Sequence, residues 1–364
     1  SDANDPNPEG GAADANPCDG GQAFCGGACV DVSAEAKHCG RCDHACIGTT
    51  KCVAGKCEPY VVIGGQAVDS PPLSYGGRIF FTAYENSTGG KFRSVNLDGT
   101  DLKTHFDVNG GGICGQLQRV VDAAYLVCDS PQRIVRACPL PGCPSTAVID
   151  TLPAFSTFTR NGALGKIYYT TPRPSGQTAG GGVFERPPDT QLGAALQQAP
   201  TTPRIVNGYV YWLNTGLIDP SGADYYQGGG GIFRVKLTNL SVQETVGSTA
   251  AYSELGALAV DDKNAYCVGR VGQSSTFDLL VVGPGGTLMP IATNVGPTAE
   301  PAIDATNVYF GNKVLHALQY CSRADNCKSG PQTLVNTDAT FVSTDDESVM
   351  FRDNNKNLMR VTKP

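Results

Sequence analysis

The sequence predicts an all-β protein: a seven-bladed β-propeller preceded by a small disulfide-rich module and an extended N-terminal arm. The first observation is a short apolar strand that recurs seven times along the chain. The second is composition, because 45 glycines, 24 prolines and only 17% charged residues suit short strands joined by turns. The third is that eight of the 15 cysteines crowd into residues 18–57.

Residues 1–17 precede the first cysteine and contain no Val, Ile, Leu, Met or aromatic residue. Such a segment cannot bury enough apolar surface to offset its ordering entropy, so we expect an acidic tether or extended arm. An extended arm of this length reaches about 55 Å. Backbone hydrogen bonds to another surface would order it, either on a neighbouring propeller in a head-to-tail assembly or back along its own.

Residues 18–57 are too few for an independent hydrophobic core, so we expect disulfides to replace one. Eight cysteines permit 105 pairings, and the sequence does not select among them. Zinc is the alternative, because Cys39 and Cys42 have CxxC spacing with His38 and His44 nearby. No second CxxC pair is present, and an oxidising compartment favours disulfides. The eight cysteines are Cys18, Cys25, Cys29, Cys39, Cys42, Cys46, Cys52 and Cys57.

The stretch CGGACVDVSAEAKHCGRCDHACIGTTKCVAGKC, which ends at Cys57, resembles the cysteine-rich module of the stigma-specific proteins. That module is abundant in exported proteins of myxobacteria and their relatives. The resemblance implies secretion and a structural or binding role, with no known catalysis. We therefore expect a secreted or cell-surface protein whose export signal has been removed.

Residues 58–364 form a repeat array without helices. The middle residues of the seven apolar strands follow one another at intervals of 46, 42, 43, 55, 43 and 41 residues. A period in this range is typical of a propeller. These middle residues are Phe80, Leu126, Tyr168, Tyr211, Tyr266, Tyr309 and Met350.

An Asp-containing turn precedes many of the apolar strands, as at Asp122, Asp261, Asp304 and Asp345. The pattern resembles propellers with a YWTD-type marker, which often have six blades, so six is the alternative blade number. We interpret these Asp residues as turn formers rather than calcium ligands, because no DxDxDG pattern is present. The last unit lacks a fourth strand, and we expect residues 60–63 to supply it and close the ring.

The seven cysteines of the propeller predict three staples and one free thiol. Cys138 and Cys143, like Cys321 and Cys327, lie at the turn between third and fourth strands. Cys114 and Cys128 flank the first hairpin of the second unit and predict a third disulfide. Cys267 is left over inside an apolar strand, and we expect a buried, inert thiol there.

Several classes of function lack their sequence features. The net charge of −7 without a basic cluster argues against nucleic acid as a partner. No apolar run is long enough to span a membrane. The four histidines stand in no nucleophile–base motif, and no P-loop or HExxH is present. We therefore expect a protein that is not an enzyme and needs no metal or cofactor.

Long connections between second and third strands predict a binding face in units one, three and four. Tyr84, Arg173, Tyr225 and Tyr226 would lie there and suit a glycan or protein partner. The leading hypothesis is an extracellular structural or interaction protein that self-associates head to tail or binds another surface protein. A lectin-like binder is the alternative, and a polysaccharide-acting enzyme is a third hypothesis.

Overall fold

The computed structural model describes residues 18, 20–85, 89–108, 112–129, 132–153, 156–171, 181–196, 201–216, 229–296 and 300–364. The chain divides into two compact units, and the boundary lies between Pro59 and Tyr60. The N-terminal unit contains the cysteine-rich module. The second unit contains a propeller.

The cysteine-rich module has little regular structure and depends on its disulfides. Its four strands form two hairpins: β1 (Ala23–Cys25) with β2 (Ala28–Val30), and β3 (Cys52–Val53) with β4 (Lys56–Cys57). Among the described residues of the module, the buried cluster consists of Cys39, Cys52 and Cys57, with Cys46 packed against it. Each of its disulfides closes a short loop, a type of cross-link that typically contributes about 2–4 kcal/mol. The four disulfides are Cys18–Cys29, Cys25–Cys42, Cys39–Cys52 and Cys46–Cys57.

The described residues of the second unit form seven antiparallel four-stranded blades, in which each strand pairs with the next strand outward. In the first six sheets this is also the order of the chain. The first strands of successive sheets are neighbours, so they form the inner wall of a ring. The structure thus confirms the all-β propeller, and its described residues contain seven blades.

Blades 1 to 4 each contain four consecutive strands of the chain. Blade 1 contains β6 (Leu73–Tyr75), β7 (Arg78–Glu85), β8 (Gly89–Asn96) and β9 (Lys103–Asp107). Blade 2 contains β10 (Cys114–Val120), β11 (Ala123–Asp129), β12 (Arg133–Pro139) and β13 (Ala147–Leu152). Blade 3 contains β14 (Thr157–Arg160), β15 (Ile167–Thr171), β16 (Gly181–Arg186) and β17 (Thr190–Leu196). Blade 4 contains β18 (Arg204–Val206), β19 (Tyr209–Asn214), β20 (Gly231–Lys236) and β21 (Asn239–Ser248).

Blades 5 and 6 are joined into one sheet by a single bridge, and blade 7 takes its outer strand from the start of the unit. Blade 5 contains β22 (Glu254–Val260), β23 (Ala265–Arg270), β24 (Phe277–Val282) and β25 (Leu288–Val295), with a 3-10 turn at Pro284–Gly286. Blade 6 contains β26 (Ala302–Ile303), β27 (Asn307–Asn312), β28 (Ala317–Ser322) and β29 (Gln332–Val335). Blade 7 contains β30 (Thr340–Thr344), β31 (Ser348–Arg352), β32 (Leu358–Thr362) and β5 (Tyr60–Ile63).

The core lies between neighbouring blades, and the second strands of the blades provide its largest side chains. Phe80, Tyr168, Tyr266 and Tyr309 are all fully buried. These are middle residues of the recurring apolar strands, so the repeat seen in the sequence corresponds to the strand of each blade that is covered on both faces. Burying an aromatic side chain of this size removes a large apolar area from water and stabilises the face-to-face stacking of the blades.

Ring closure depends on the pairing of β5 with β32. Ile63 pairs with Leu358, and Val61 pairs with Met359. Val62 is buried within the cluster that fills the seam between blades 7 and 1. At that seam a Cβ atom on Gly99, which has a φ of +85°, would lie 2.1 Å from the carbonyl oxygen of Val62, so only glycine fits there.

The recurring Asp residues of blades 5, 6 and 7 shape the turns between first and second strands. Asp304 Oδ1 accepts hydrogen bonds from the backbone N–H groups of Thr306 and Asn307, each at 2.8 Å. Asp261 and Asp345 accept the corresponding two backbone hydrogen bonds in their own turns. The turn-forming interpretation is therefore correct for these three residues.

The Oδ2 atoms of Asp261 and Asp304 form ion pairs with basic side chains of the following blade and so link neighbouring blades. Arg323, which follows the third strand of blade 6, lies 2.7 Å from Asp261 Oδ2 of blade 5. Lys363, in the equivalent place of blade 7, lies 2.9 Å from Asp304 Oδ2 of blade 6. All four side chains are less than 20% exposed, so these ion pairs are better shielded from water than surface pairs.

Disulfides also staple two blades of the propeller. Cys138–Cys143 and Cys321–Cys327 close the turns between third and fourth strands of blades 2 and 6. Cys114–Cys128 links two directly paired residues of β10 and β11. Cys267 is fully buried and carries a free thiol, and its burial raises the pKa of that thiol.

Every outer strand of the propeller has a register shift where it pairs with the third strand of its blade. Such bulges twist an edge strand and disrupt its row of free backbone groups. Seven edges interrupted in this way are poor templates for the addition of another strand.

Removing the closing strand should destabilise the propeller. A chain that begins at Gly64 lacks β5, whereas a matched control that begins at Tyr60 retains it. We expect the shorter chain to lose at least about 3 kcal/mol of unfolding free energy, because it gives up the burial of Val62 and the hydrogen bonds to β32. Thermal and urea denaturation followed by circular dichroism measure the difference. Equal stability of the two chains would show that β5 does not close the ring.

Candidate functional site

A cavity of the propeller lies on the face that carries the turns between first and second strands. Its volume is about 1040 Å³. Residues 72–76 of blade 1, Arg119 of blade 2, residues 304–306 of blade 6 and residues 343–346 of blade 7 line it, together with Lys363. Except for Lys363, which follows the third strand of blade 7, these residues lie at or near the ends of inner strands, so we call it the channel-mouth cavity.

Arg119 and Tyr75 form one wall of this cavity. Tyr75 is the last residue of β6, and Arg119 is the penultimate residue of β10 in the next blade. The guanidinium carbon of Arg119 lies 4.7 Å from the centre of the Tyr75 ring. The Tyr75 hydroxyl donates a 2.7 Å hydrogen bond to Asp122 Oδ1, which raises the pKa of the tyrosine. Cation–π contact and hydrogen bond together fix the ring beneath an exposed arginine.

Asp304 forms part of the opposite wall and is ionised. Desolvation by itself would raise the pKa of its carboxyl group. Hydrogen bonds from Lys363, from the backbone of Thr306 and Asn307 and from the Tyr309 hydroxyl outweigh that effect and lower the pKa to about 2. The Tyr309 hydroxyl and the Lys363 Nζ each lie 2.9 Å from Asp304 Oδ2. Both carboxylate oxygens are thus engaged within the protein.

Blade 7 contributes a second neutralised carboxylate and a free one. Arg360 Nη2 lies 3.3 Å from Asp345 Oδ2, and both side chains are at most 15% exposed. Asp346, the next residue, is exposed and forms no hydrogen bond or ion pair with any described residue. The neighbouring hydroxyl of Ser343 is buried and has no partner in the described part of the chain. The cavity therefore offers one cation, Arg119, and one anion, Asp346, that the described structure leaves unpaired.

Asp69, in the segment that precedes β6, has a separate buried carboxyl group. Burial raises the pKa of Asp69 to about 6, against the opposing effects of a hydrogen bond from Thr82 and of the charge of Arg352. Its Oδ2 atom has no partner among the described residues. A carboxyl group with a raised pKa is the kind of group that catalysis uses, although seams between structural elements produce the same shift.

Of the four binding residues proposed from the sequence, the structure describes only Tyr84. A long connection was expected from Tyr84 to Gly90, and this is wrong, because β7 continues to Glu85 and Tyr84 pairs with Gly90 inside the sheet. Charge pairing of Lys91 and Arg93 with Glu85 supports the extended hairpin. The other three proposed residues, Arg173, Tyr225 and Tyr226, lie outside the described residues.

Three cysteine sulfur atoms of the N-terminal module lie as close together as the ligands of a metal ion. The sulfur atoms of Cys39, Cys46 and Cys57 lie within 4.8 Å of one another. All three are oxidised, since Cys39 pairs with Cys52 and Cys46 with Cys57. A disulfide sulfur offers no thiolate, and thiolate is the form that binds zinc.

Sequence reasoning missed the channel-mouth residues because it searched the wrong turns. It considered the connections between second and third strands, whereas Arg119 and Asp346 lie beside the connections between first and second strands. Aligning the seven repeats on their apolar strands places both residues next to the Asp turns. That alignment is the signal by which the channel-mouth cavity could have been located.

The N-terminal module matches a known family. Residues 6–60 match the model of the Stigma-specific STIG1-like protein family, which confirms the resemblance of the cysteine-rich segment. The match covers a minor part of the chain and does not extend into the propeller. Searching the curated proteins gives no match for the chain.

Solved structures similar to this chain are propellers with unrelated sequences. A catalytically inactive virginiamycin B lyase from Staphylococcus aureus with quinupristin is 12% identical, with a TM-score of 0.55 over 84% of this chain and 99% of that one. An oligogalacturonate lyase in complex with manganese is 13% identical, with a TM-score of 0.56 over 79% and 86%. The computationally designed Ika8 protein is 11% identical, with a TM-score of 0.54 over 84% and 98%. At these identities the likeness shows the fold alone.

The disulfides indicate where such a protein works. Seven disulfides in one chain, four of them in a module of the stigma-specific type, indicate an extracellular protein. Among the described residues, no helix has the length and apolar character needed to cross a membrane.

Replacing Asp304 should test the ion pair that forms one wall of the cavity. Because its folded pKa lies below the usual value of 3.8, the carboxylate stabilises the fold above about pH 4, and that contribution is lost as the pH falls towards 2. We expect Asp304→Asn to lower the unfolding free energy at pH 7 by about 1–2 kcal/mol, allowing for screening by water. Its stability should also fall less than that of the wild type between pH 4 and 2.

Urea denaturation at several pH values measures both effects. Asp346→Asn is the matched control, because it changes an exposed carboxylate of the same cavity and should leave the unfolding free energy unchanged. Equal stability of Asp304→Asn and wild type at pH 7 would contradict the assignment of a stabilising ion pair to Asp304 and Lys363.

Proposed function

We propose that this chain is a non-enzymatic extracellular binding protein that takes a polar ligand, a glycan, in the channel-mouth cavity. The observation that supports the proposal is the mixed lining of a cavity of about 1040 Å³. Its walls combine an unpaired cation and an unpaired anion with hydroxyl groups and few apolar side chains. Sugar rings present many hydroxyl groups, so a wall rich in hydrogen-bonding partners suits them better than it suits an apolar ligand.

The rigidity of the walls also supports binding. Asp304 and Asp345 hold the turns of blades 6 and 7 through backbone hydrogen bonds, and each is clamped by a basic side chain. Tyr75 is fixed between Arg119 and Asp122. A site whose side chains are already positioned loses little conformational entropy when it binds a ligand.

The proposal predicts that filling the cavity abolishes binding. A glycan array probed with the full chain should identify neutral or charged saccharides that bind. Ala305→Trp places a large side chain at an exposed turn position of the cavity lining, and it should reduce binding to those saccharides at least tenfold. Lys263→Trp is the matched control, because Lys263 is exposed in the equivalent turn of blade 5 and does not line the cavity.

Two results would contradict the proposal. One is the absence of binding to any saccharide, or equal binding by the wild type and by Ala305→Trp. The other is turnover of a bound polysaccharide that is lost in Asp69→Asn, because this would make the raised pKa of Asp69 catalytic. Both can be measured on the same protein samples, the second by the release of reducing ends.

Head-to-tail assembly through the N-terminal arm is a second proposal, and it is supported by the sequence. Residues 1–17 lack apolar side chains and could be ordered by hydrogen bonds to a neighbouring molecule. They lie outside the described residues. The bulges in all seven outer strands disfavour strand addition at the blade edges, so an arm that docks on a neighbour would have to use another surface.

Electron microscopy of the full chain and of a chain lacking residues 1–17 tests this assembly. We expect rings or filaments only when the arm is present, because a heterologous contact either closes into a ring or continues as a fibre. Monomeric particles in both samples would show that the arm does not drive assembly.

A further inference from the structure

We infer that the ligand of the channel-mouth cavity is an acidic polysaccharide and that Arg119 is the residue that binds its anionic group. This inference rests on the proposed function and adds the chemical class of the glycan. It starts from the charge state of the cavity, in which the other basic groups already have carboxylate partners.

Arg119 is the basic side chain of this cavity that remains available. Lys363 is paired with Asp304 at 2.9 Å, and the nearby Arg360 is paired with Asp345 at 3.3 Å. Arg119 forms no ion pair or hydrogen bond with any described residue, and its guanidinium group stacks on the face of Tyr75. A guanidinium group stacked on a ring keeps its N–H donors at the edge of the group, where they can bind a carboxylate or sulfate through two hydrogen bonds.

The Tyr75 ring, on which Arg119 stacks, is held rigidly in place. Tyr75 is held by its hydrogen bond to Asp122, and the turn that follows it packs tightly against blade 2. A Cβ atom on Gly76, which has a φ of +58°, would lie 2.8 Å from Pro141 Cβ. The arginine is therefore fixed on a tyrosine that two blades hold in place, and it loses less side-chain entropy on binding than a free surface arginine would.

The next blade repeats the arrangement. Arg160, the last residue of β14 in blade 3, places its guanidinium carbon 4.8 Å from the centre of the Tyr125 ring of blade 2. Its Nε atom is buried without a hydrogen-bond partner among the described residues, Arg160 forms no ion pair with any of them, and it lies outside the lining of the channel-mouth cavity. Two stacked arginines on successive blades suit a polymer that carries an anionic group on more than one sugar.

The composition of the walls favours a glycan over an acidic peptide. Besides Arg119 the cavity lining includes the hydroxyl-bearing residues Ser74, Thr306 and Thr344, which suit the many hydroxyl groups of a sugar polymer. The net charge of −7 opposes long-range attraction of any polyanion. At physiological ionic strength charges are screened beyond about 8 Å, so contact with the two arginines decides the interaction.

Isothermal titration of the full chain tests the inference with four polymers: alginate oligosaccharides as the carboxylated glycan, dextran sulfate as the sulfated one, dextran as the neutral one and poly-glutamate as the acidic peptide. Arg119→Gln should weaken binding of an acidic glycan about 10- to 100-fold, the loss expected for a charge-assisted contact. Arg119→Lys should also weaken it, because an ammonium group cannot form the paired hydrogen bonds of a guanidinium group. Arg160→Gln should have a smaller effect, which increases with the length of the oligosaccharide.

Two control variants make the result specific to Arg119. Arg234 is also stacked on a tyrosine, with its guanidinium carbon 4.3 Å from the Tyr209 ring centre, but it is paired with Glu244 at 2.6 Å. Arg234→Gln should therefore leave the affinity unchanged. Asp346→Asn should increase affinity for the acidic glycan, since a like charge is removed from the cavity. Thermal melting of each variant identifies any loss of folding.

The outcomes separate this inference from the proposed function. If Arg119→Gln binds acidic glycans as the wild type does, or if poly-glutamate binds more tightly than either acidic glycan, the inference is wrong. If dextran binds as well as the acidic glycans and Ala305→Trp blocks it, the proposed function stands and the inference fails. If no polysaccharide binds, both fail. Tighter binding of alginate or of dextran sulfate identifies the anionic group as carboxylate or sulfate.

Discussion

The pairing of β5 with β32 is the constraint on which the rest of the propeller depends. Each blade has two apolar faces, and a ring covers both faces of every blade only when its first and last blades meet. The chain begins this unit with a strand of the last blade, so the seam between blades 7 and 1 is closed by backbone hydrogen bonds and by a buried cluster that includes Val62, Ile79 and Met350. The seam is filled by buried apolar side chains, as the interfaces between the other blades are. The inner strands of the seven blades can therefore form a continuous wall around the channel.

Closure has consequences for charge as well as for packing. Lys363 follows the third strand of blade 7 and pairs with Asp304 of blade 6. Arg323 follows the third strand of blade 6 and pairs with Asp261 of blade 5 in the same way. Blade 1 has Leu97 in the corresponding place, so Asp345 of blade 7 is paired within its own blade by Arg360. The repeat therefore neutralises its turn carboxylates on one side of the channel mouth and leaves Arg119 without a partner on the other.

The two units obtain their stability from different sources. The N-terminal module buries mainly cystine sulfurs, so covalent cross-links replace the apolar contacts that a segment of this size cannot supply. The propeller has extensive apolar interfaces, and its disulfides staple individual hairpins, as at Cys138–Cys143 and Cys321–Cys327. The register shifts in the outer strands add a further feature, because they protect the exposed outer edges of the blades from pairing with another strand.

The sequence by itself determined the features that arise from local chemistry and from repetition. The spacing of residues such as Phe80, Tyr168 and Tyr309 predicted the blades, because the second strand of a blade is covered on both faces and must be apolar. The Asp turns followed from the tendency of an Asp side chain to bind nearby backbone N–H groups. The family resemblance of the cysteine-rich segment followed from its spacing of cysteines.

Tertiary structure alone decided which cysteines of the module pair and where the cavity lies. Pairing depends on which sulfurs the folded chain brings together, and the spacing of Cys39 and Cys42 suggested a different chemistry. The connection at Tyr84 was misassigned because its glycines suggest a turn, although they continue the ladder. Arg119 and Tyr75 come from the consecutive blades 2 and 1, and ring closure places Asp346 of blade 7 in the lining of the same cavity. No local sequence pattern predicts that these residues line one cavity, since their proximity depends on the geometry of the complete ring.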